Sequence, residues 1–313
     1  MRRIEVVRHP VADERQPIVD FVQRLGDRLG NRPLSDHLWL DLVAGAGDGL
    51  IAVTVWDGDR LLAVAQASSA NDGATLEMVV DDAATEPADA IRIGHDAVET
   101  AVDAYARDGG GRLTWWVDGS GDEHADLAAV LGLAPQRALH EMRRPLPHQD
   151  RSAIVTRAFD PRTDAEEWLA VNNRAFAGHA EQGGWTLQTL ALRMAEDWFD
   201  PEGFRIHEID GTIAGFCWTK IHTESQPEIG EIYVIAVDPA FHGRGLGRQL
   251  TLAGLDSISD RGVTIANLYV DAGNTAAVNL YTRLGFDVHR TRTAFAGTLE
   301  RRAPATTAPH GGI

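Results

Sequence analysis

Cysteine and long apolar runs are almost absent from this chain. One cysteine in 313 residues excludes an intramolecular disulfide. Cys217 stands between Phe216 and Trp218, so a buried thiol is expected. No apolar stretch is long enough to cross a membrane, and the N-terminal Arg2 and Arg3 are not followed by the apolar region of a secretory signal. These absences predict a cytoplasmic protein without a membrane partner.

Positive charge is also scarce. The chain has 29 Lys and Arg against 46 Asp and Glu, a formal net charge of −17 at pH 7, which argues against nucleic acid as a partner. Lys220 is the only lysine. Either this position needs a compact ammonium in place of a forked guanidinium, or the lysine persists by chance on a solvated strand. No metal site is predicted.

The sequence contains a tandem repeat. Equivalent residues are separated by 153 positions in three pairs: Asp57 and Asp210, Asp118 and Asp271, Gly132 and Gly285. The length leaves room for two ordinary domains. The repeat therefore predicts an N-terminal domain over residues 1–147 and a C-terminal domain over residues 152–300. The Ala, Thr, Pro and Gly of residues 301–313 predict a disordered tail.

Residues 237–250, VDPAFHGRGLGRQL, carry the strongest functional signal. An apolar run up to Val237 predicts a buried strand, and three glycines then lead into a helical segment. A glycine-rich turn at a helix start exposes several backbone N–H groups to an anion such as phosphate. No lysine follows as in a Walker loop, and the spacing G-x-G-x-G differs from the dinucleotide fingerprint.

A second block lies between Val270 and Phe286. Asn274 is a good N-cap and Gly285 a good stop signal, so a short helix is predicted over residues 275–284. The two blocks resemble those of the GNAT acetyltransferase superfamily, with His242 where the family usually has Gln or Arg. The resemblance covers residues 152–300. It implies an α/β (α+β) fold of tandem GNAT domains, each a mixed, mostly antiparallel twisted sheet flanked by helices.

The resemblance further implies acetyl-CoA as co-substrate, held where the fourth and fifth strands of the domain splay apart. Tyr281 would be the general acid for the CoA sulfur, unless it is only a core aromatic. Glu231 would be the general base for the amine, unless it is only a solvated strand end. The implied cofactor-binding residues are Ile235, Ala236, Val237, His242, Gly243, Arg244, Gly245, Leu246, Gly247, Arg248, Asn274, Thr275, Ala276, Ala277, Val278 and Asn279.

Residues 171–185, 198–203, 215–222 and 230–234 resemble corresponding segments of the mycothiol synthase family, two-domain GNAT enzymes. That resemblance implies a small-molecule acceptor, the cysteinyl amine of cysteinyl-glucosaminyl-inositol, and a monomeric enzyme. The implied substrate-binding residues are Asp36, Glu181, Lys220, Glu231 and Tyr269.

The two copies differ at the cofactor loop. Residues 80–94 lack the triple glycine and carry acidic residues that would repel phosphate, so the N-terminal copy is predicted to have lost normal cofactor binding. Two alternatives stay open for the whole chain: a GNAT enzyme for another amine, such as an aminosugar or peptide N-terminus, and a non-catalytic acyl-CoA sensor. Binding alone needs neither Tyr281 nor Glu231, which argues against the sensor.

Overall fold

The chain forms two compact units. The computed structural model describes residues 2–29, 32–44, 49–70, 73–177, 182–223 and 225–302. The first unit contains the described residues up to Ala138 and those from Thr291 onward, and the second contains Leu139–Arg290.

The first unit has a six-stranded sheet in the order β1-β2-β3-β4-β5-β12. All neighbouring strands are antiparallel except β4 and β5, which are parallel. Its elements are β1 (Arg2–Arg8), α1 (Ala12–Leu29), α2 (Asp36–Ala44), β2 (Ile51–Asp57), β3 (Arg60–Ala70), β4 (Gly73–Val80), α3 (Pro87–Arg107), β5 (Gly111–Asp118) and α4 (Asp122–Val130), with β12 (Asp287–Leu299) from the end of the chain.

The second unit has a sheet in the order β7-β8-β9-β10-β11-β6, again antiparallel except for one central parallel pair, β10 and β11. Its elements are β6 (Ala134–Pro145), β7 (Arg157–Ala158), α5 (Ala165–Ala175), α6 (Leu187–Met194), β8 (Phe204–Ile209), β9 (Thr212–His222), β10 (Ile229–Val237), α7 (Leu246–Ser259), β11 (Ile265–Asp271) and α8 (Thr275–Arg283). Both sheets are thus mixed and mostly antiparallel, as the sequence predicts.

The boundaries of the two compact units differ from those of two consecutive domains over residues 1–147 and 152–300. The reason is that the last strand of each sequence repeat belongs to the sheet of the other unit. In the first unit, Arg292–Leu299 of β12 pair with β5. In the second, Leu139–Pro145 of β6 pair with β11. Ladder hydrogen bonds, and not the order of the repeats, determine to which sheet a strand belongs. Of the predicted disordered tail, residues 303–313 lie outside the described residues.

Equivalent turns confirm the tandem repeat. Asp57-Gly58 joins β2 to β3 and Asp210-Gly211 joins β8 to β9, with positive φ at Gly58 (59°), Asp210 (51°) and Gly211 (76°). These are conformations that Gly and Asp adopt at low cost in tight hairpin turns. The turn after each short helix also contains a left-handed glycine, Gly132 (φ 78°) in the first unit and its repeat partner in the second.

Each sheet is covered by apolar clusters on both faces. In the second unit, α7 and α8 cover one face, where Leu250, Leu268 and Phe286 are buried. Aromatic residues under α5 and α6, such as Trp168 and Trp218, fill the other face. Cys217 is fully buried as predicted, and burial raises the pKa of its thiol to about 12. None of the helices in the described part of the chain is long and apolar enough to span a membrane.

Candidate active site

The parallel strands of the second unit separate partway along their length. β10 and β11 pair only from Ile229 with Ile265 to Ile232 with Leu268. β10 nevertheless remains paired with β9 on its other side as far as Val237. The edge of β10 from residue 233 to 237 is therefore open toward β11. Backbone groups along this open edge can pair with an extended ligand. The contacts predicted for Ile235, Ala236 and Val237 stay a prediction.

A glycine turn follows β10 and leads into α7. Asp238 is buried, accepts hydrogen bonds from the Ala240 N–H at 2.9 Å and from the Arg174 guanidinium at 2.5 Å, and so anchors the start of the turn. Burial alone would raise its pKa, but these two donors lower the pKa below the usual carboxyl value. Gly243 and Gly245 have φ of 77° and 74°, left-handed conformations that favour glycine.

The first turn of α7 has the geometry of an anion site. Gly245 is its N-cap, and none of the described side chains caps the helix. The backbone N–H groups of Leu246, Gly247 and Arg248 precede the first helical bond and have no intrahelical acceptor. The helix dipole adds positive potential at the same place. This geometry fits a pyrophosphate group.

The side chains of the glycine turn point to different partners. His242, which departs from the usual Gln or Arg, contacts the Val237 carbonyl oxygen through Nε2 at 3.0 Å. The Arg244 guanidinium lies over the Phe241 ring, 5.2 Å from its centroid. Arg248 pairs with Asp150 at 2.5 Å. Because no side chain of the described residues caps the N–H groups, a cradle formed by them would depend on the backbone and not on the residue type at position 242.

Helix α8 begins beside α7. Asn274 caps it by accepting a hydrogen bond from the Ala277 N–H at 3.1 Å, which confirms the predicted N-cap. A Cβ placed on Gly247 would lie 3.7 Å from Leu280 of α8, so the two helices approach closely there. Thr275, Ala276 and Asn279 are exposed near this end of α8, and Ala277 and Val278 are half-buried.

Tyr281, on the inner side of α8, is 8% exposed and packs against Phe286 with ring centroids 5.9 Å apart. Burial, and secondarily the nearby Cys217 thiol, raise the pKa of the Tyr281 phenol to about 12. The phenol therefore keeps its proton at neutral pH and can act as a hydrogen-bond donor. Within the described residues its hydroxyl has no hydrogen-bond partner.

Glu231 lies on β10, opposite Asn267 of β11 and one residue before the two strands separate. It is 8% exposed and faces Lys220 directly across the antiparallel ladder with β9. Its Oε2 lies 2.6 Å from Nε2 of His222. Sequence reasoning missed His222, although its position two residues after Lys220 on a strand places both on the same face. The Lys220 ammonium lies over the Trp198 ring, 4.9 Å from its centroid.

Tyr269 extends this polar face onto β11, where it is 41% exposed. Desolvation and the carboxylates of Glu231 and Glu141 raise the pKa of Tyr269, against the opposing effect of Arg290. Glu141 is buried and forms ion pairs with Arg290 and, at 2.6 Å, with Arg143. Sequence reasoning missed this cluster because β6 comes from the other repeat.

Two of the predicted substrate-binding side chains lie outside what the structure describes, so their roles stay predictions. Asp36 is the first residue of α2 in the first unit, but its side chain is outside what the structure describes. Glu181 lies outside the described residues.

The first unit has a similar separation of parallel strands but a closed turn. β4 and β5 pair only from Ala74 to Leu76 of β4. A Cβ on Gly94 of α3 would lie 2.9 Å from the Met78 sulfur and 3.3 Å from Val80, so side chains fill the space. The turn carboxylate Asp81 is buried and paired with Arg24 at 2.8 Å. No glycine turn precedes α3. The loss of normal cofactor binding in this copy stays a prediction.

Comparison with known proteins agrees with this geometry. The acetyltransferase (GNAT) family model matches residues 149–286. A mycothiol acetyltransferase from Thermobispora bispora is 39% identical over 292 residues, covering 91% of this chain and 95% of that protein. The chain belongs to the mycothiol acetyltransferase family. A second member, from Frankia alni, is 43% identical over 285 residues, covering 83% of this chain and 84% of that protein.

Solved structures confirm the tandem GNAT fold of this mycothiol acetyltransferase family member. A GCN5-related N-acetyltransferase from Sphaerobacter thermophilus superposes with a TM-score of 0.69 at 20% identity, covering 96% of this chain and 97% of that one. A tandem GNAT protein from the clavulanic acid biosynthesis pathway gives a TM-score of 0.62 at 15% identity, covering 96% and 100%. At these identities the likeness supports the fold alone.

Proposed function

We propose that this chain transfers the acetyl group of acetyl-CoA to the cysteinyl amine of cysteinyl-glucosaminyl-inositol, the last step of mycothiol biosynthesis. The observation that carries the proposal is the separation of β10 from β11 beyond Ile232, followed along the chain by the glycine turn at the start of α7. Glu231 on β10 and the buried Tyr281 on α8 would be the two groups that move protons. The acceptor is the one that the resemblance to the mycothiol synthase family implies, and relatives that are mycothiol acetyltransferases support it.

The cofactor end of the site is built from the backbone. The pyrophosphate of acetyl-CoA would bind the uncapped N–H groups from Gly243 to Arg248. The pantetheine arm would pair with residues 235–237 along the open edge of β10, as a strand would. The start of α8 from Asn274 to Asn279 would border the same ligand.

The reaction requires two proton transfers. The amine nitrogen forms a bond to the acetyl carbon while the carbon–sulfur bond of the thioester breaks. Glu231 takes the proton that the amine loses. Tyr281 donates its phenolic hydrogen toward the departing sulfur, and its raised pKa ensures that the hydrogen is present.

The acceptor end is polar and partly aromatic. A sugar and an inositol offer many hydroxyl groups and no charge, and they need donors and acceptors at fixed places. Lys220 and Tyr269 supply them on the same face of the sheet as Glu231. The half-buried Trp198 provides an apolar surface beside the ammonium. We place the acceptor on this face, bound to the monomeric chain.

Mass spectrometry tests the proposal directly. The protein is mixed with acetyl-CoA and cysteinyl-glucosaminyl-inositol, and the expected product carries one additional acetyl group on the amine. A thiol dye is unsuitable because the acceptor has its own thiol. If the protein binds acetyl-CoA but forms no acetylated product, the assignment of the acceptor would be contradicted. A panel of aminosugars and peptide N-termini would then separate an acetyltransferase for another amine from an acyl-CoA sensor.

A further inference from the structure

His222 is the immediate neighbour of Glu231 in the acceptor site. Its Nε2 lies 2.6 Å from Glu231 Oε2. The side chains are 22% and 10% exposed respectively. Lys220 lies opposite Glu231 and His222 opposite Ile229 in the β9–β10 ladder, so the three polar side chains share one face of the sheet.

We propose that His222 is a positioning residue for the reaction. On the proposed function, Glu231 is the base. His222 donates its Nε2–H to Oε2 and thereby turns Oε1 toward the amine of the acceptor. One proton moves in this step, from the amine nitrogen to Oε1. His222 keeps its own proton and touches neither the acetyl group nor the acceptor nitrogen.

The chemistry of the pair supports this direction of donation. An ionised carboxylate only accepts hydrogen bonds, so the neutral imidazole beside it carries its proton on Nε2. A hydrogen bond to one oxygen stabilises the carboxylate and restricts its rotation. Among the described residues, no other group donates a hydrogen bond to Glu231. Without His222 the base would be an almost buried carboxylate with no fixed orientation.

Other charges surround the pair and belong in any account of its pH dependence. Lys220 faces it from β9, and Tyr269 faces it from β11. Glu141 on β6 lies behind Tyr269, with Arg143 and Arg290 paired to it. These groups remain unchanged when position 222 alone is substituted. A change in the pH profile of such a variant therefore reports on the imidazole.

The kinetic test compares two substitutions with a control. His222→Leu removes the donor, and His222→Gln retains an N–H near the position of Nε2. His289→Gln is the matched control, because His289 is exposed on β12. We expect His222→Leu to lower kcat about 10- to 100-fold with little change in the KM for acetyl-CoA, as loss of an orienting partner does elsewhere. His222→Gln should recover kcat to within about 3-fold of wild type, since an amide also donates.

The pH profile separates positioning from mere support of the fold. In His222→Leu the acid limb of kcat should move to higher pH, because a largely buried carboxylate that has lost its hydrogen-bond donor holds its proton more tightly. The acid limb should move less in His222→Gln. Equal losses in the Leu and Gln variants, or a Leu variant with the wild-type profile, would overturn the proposal.

A titration by NMR tests the pair without turnover. The imidazole signal of His222, assigned through its absence in His222→Gln, should titrate at higher pH in wild type than in Glu231→Gln, because the carboxylate favours the imidazolium. An identical midpoint would refute the pairing, even if His222→Leu fails to fold.

The two proposals can fail separately. Full activity of Glu231→Gln would remove the base assignment on which the positioning role depends. An inactive Glu231→Gln together with a normal His222→Leu would refute only the role of His222.

Discussion

Lys220 and Glu231 lie directly opposite each other across the β9–β10 ladder, one residue before the last position at which β10 also pairs with β11. The only lysine of the chain is therefore beside the candidate base and at the mouth of the strand separation. Its ammonium is also 4.9 Å from the Trp198 ring centroid, within the range of a cation–π contact. This position is evidence against the chance survival of a lysine on a solvated strand.

Replacing Lys220 by arginine should weaken acceptor binding selectively. The guanidinium is wider and planar, so it cannot occupy the place of the ammonium between Trp198 and the acceptor site. We expect the KM for the acceptor to rise about 10-fold, equivalent to about 1.4 kcal/mol, while the KM for acetyl-CoA changes little. Steady-state kinetics with each substrate varied in turn provides the measurement. Unchanged acceptor kinetics would show that the position does not require lysine.

Replacing Tyr281 by phenylalanine should affect turnover and not cofactor binding. The substitution removes only the hydroxyl, whereas the ring packed on Phe286 stays in place. We expect kcat to fall about 100-fold, within the range found for loss of a general acid. The acetyl-CoA dissociation constant, measured by calorimetry, should stay within about 3-fold. A large loss of affinity with normal turnover would contradict the acid assignment.

Tyr281 should also influence stability in alkali. Burial raises its pKa from 10.0 to about 12, so the folded state retains this proton more firmly than the unfolded chain. The stabilisation is fully present below about pH 10 and is lost as pH rises through about 12, for a total of about 3 kcal/mol. Urea unfolding at pH 8, 10 and 11.5 should show wild type losing stability relative to Tyr281→Phe above pH 10, because the variant has no phenol to ionise. Parallel pH curves would mean that Tyr281 titrates normally in the folded state.

Replacing Gly245 by alanine should impair acetyl-CoA binding beyond its effect on stability. Gly245 has φ of 74° at the start of α7. An L-residue in that conformation costs about 1 kcal/mol, and relaxation of the turn would move the N–H groups of the cradle. Gly58→Ala is the matched control, because Gly58 has φ of 59° in the β2–β3 hairpin and open space around it. The two substitutions should lower the thermal unfolding midpoint by similar amounts. Calorimetry should show weaker acetyl-CoA binding only for Gly245→Ala. Equal acetyl-CoA affinity in the two variants would mean that the turn does not hold the ligand.

Local patterns predict the backbone geometry of the glycine turn and the start of α8. The run of apolar residues before Asp238, the three glycines and the helical periodicity after them all act within a few residues of one another. Backbone conformation there depends on the residues themselves, as the left-handed Gly243 and Gly245 show. The Asn274 cap of α8 is likewise a contact between a side chain and the backbone three residues later. The roles of Glu231, Tyr281 and the cradle residues in binding and chemistry stay predictions.

The arrangement of residues at the acceptor end of the site is harder to predict from the sequence. His222 carries no motif, and its importance comes only from the 2.6 Å contact with a residue on the next strand. Glu141 and Arg143 lie on β6, a strand that belongs to the first sequence repeat yet pairs with β11. A strand register is set by hydrogen bonds between distant segments, which no window of the sequence contains.

The sequence by itself determined the repeat, the turn chemistry, the buried cysteine and the glycine cradle, because each depends on residues close together in the chain. The tertiary structure decided which sheet receives β6 and β12, and it decided that His222, Lys220 and Tyr269 surround Glu231. Those relationships come from long-range strand pairing and burial, whose free energies depend on the whole sheet and not on any one segment.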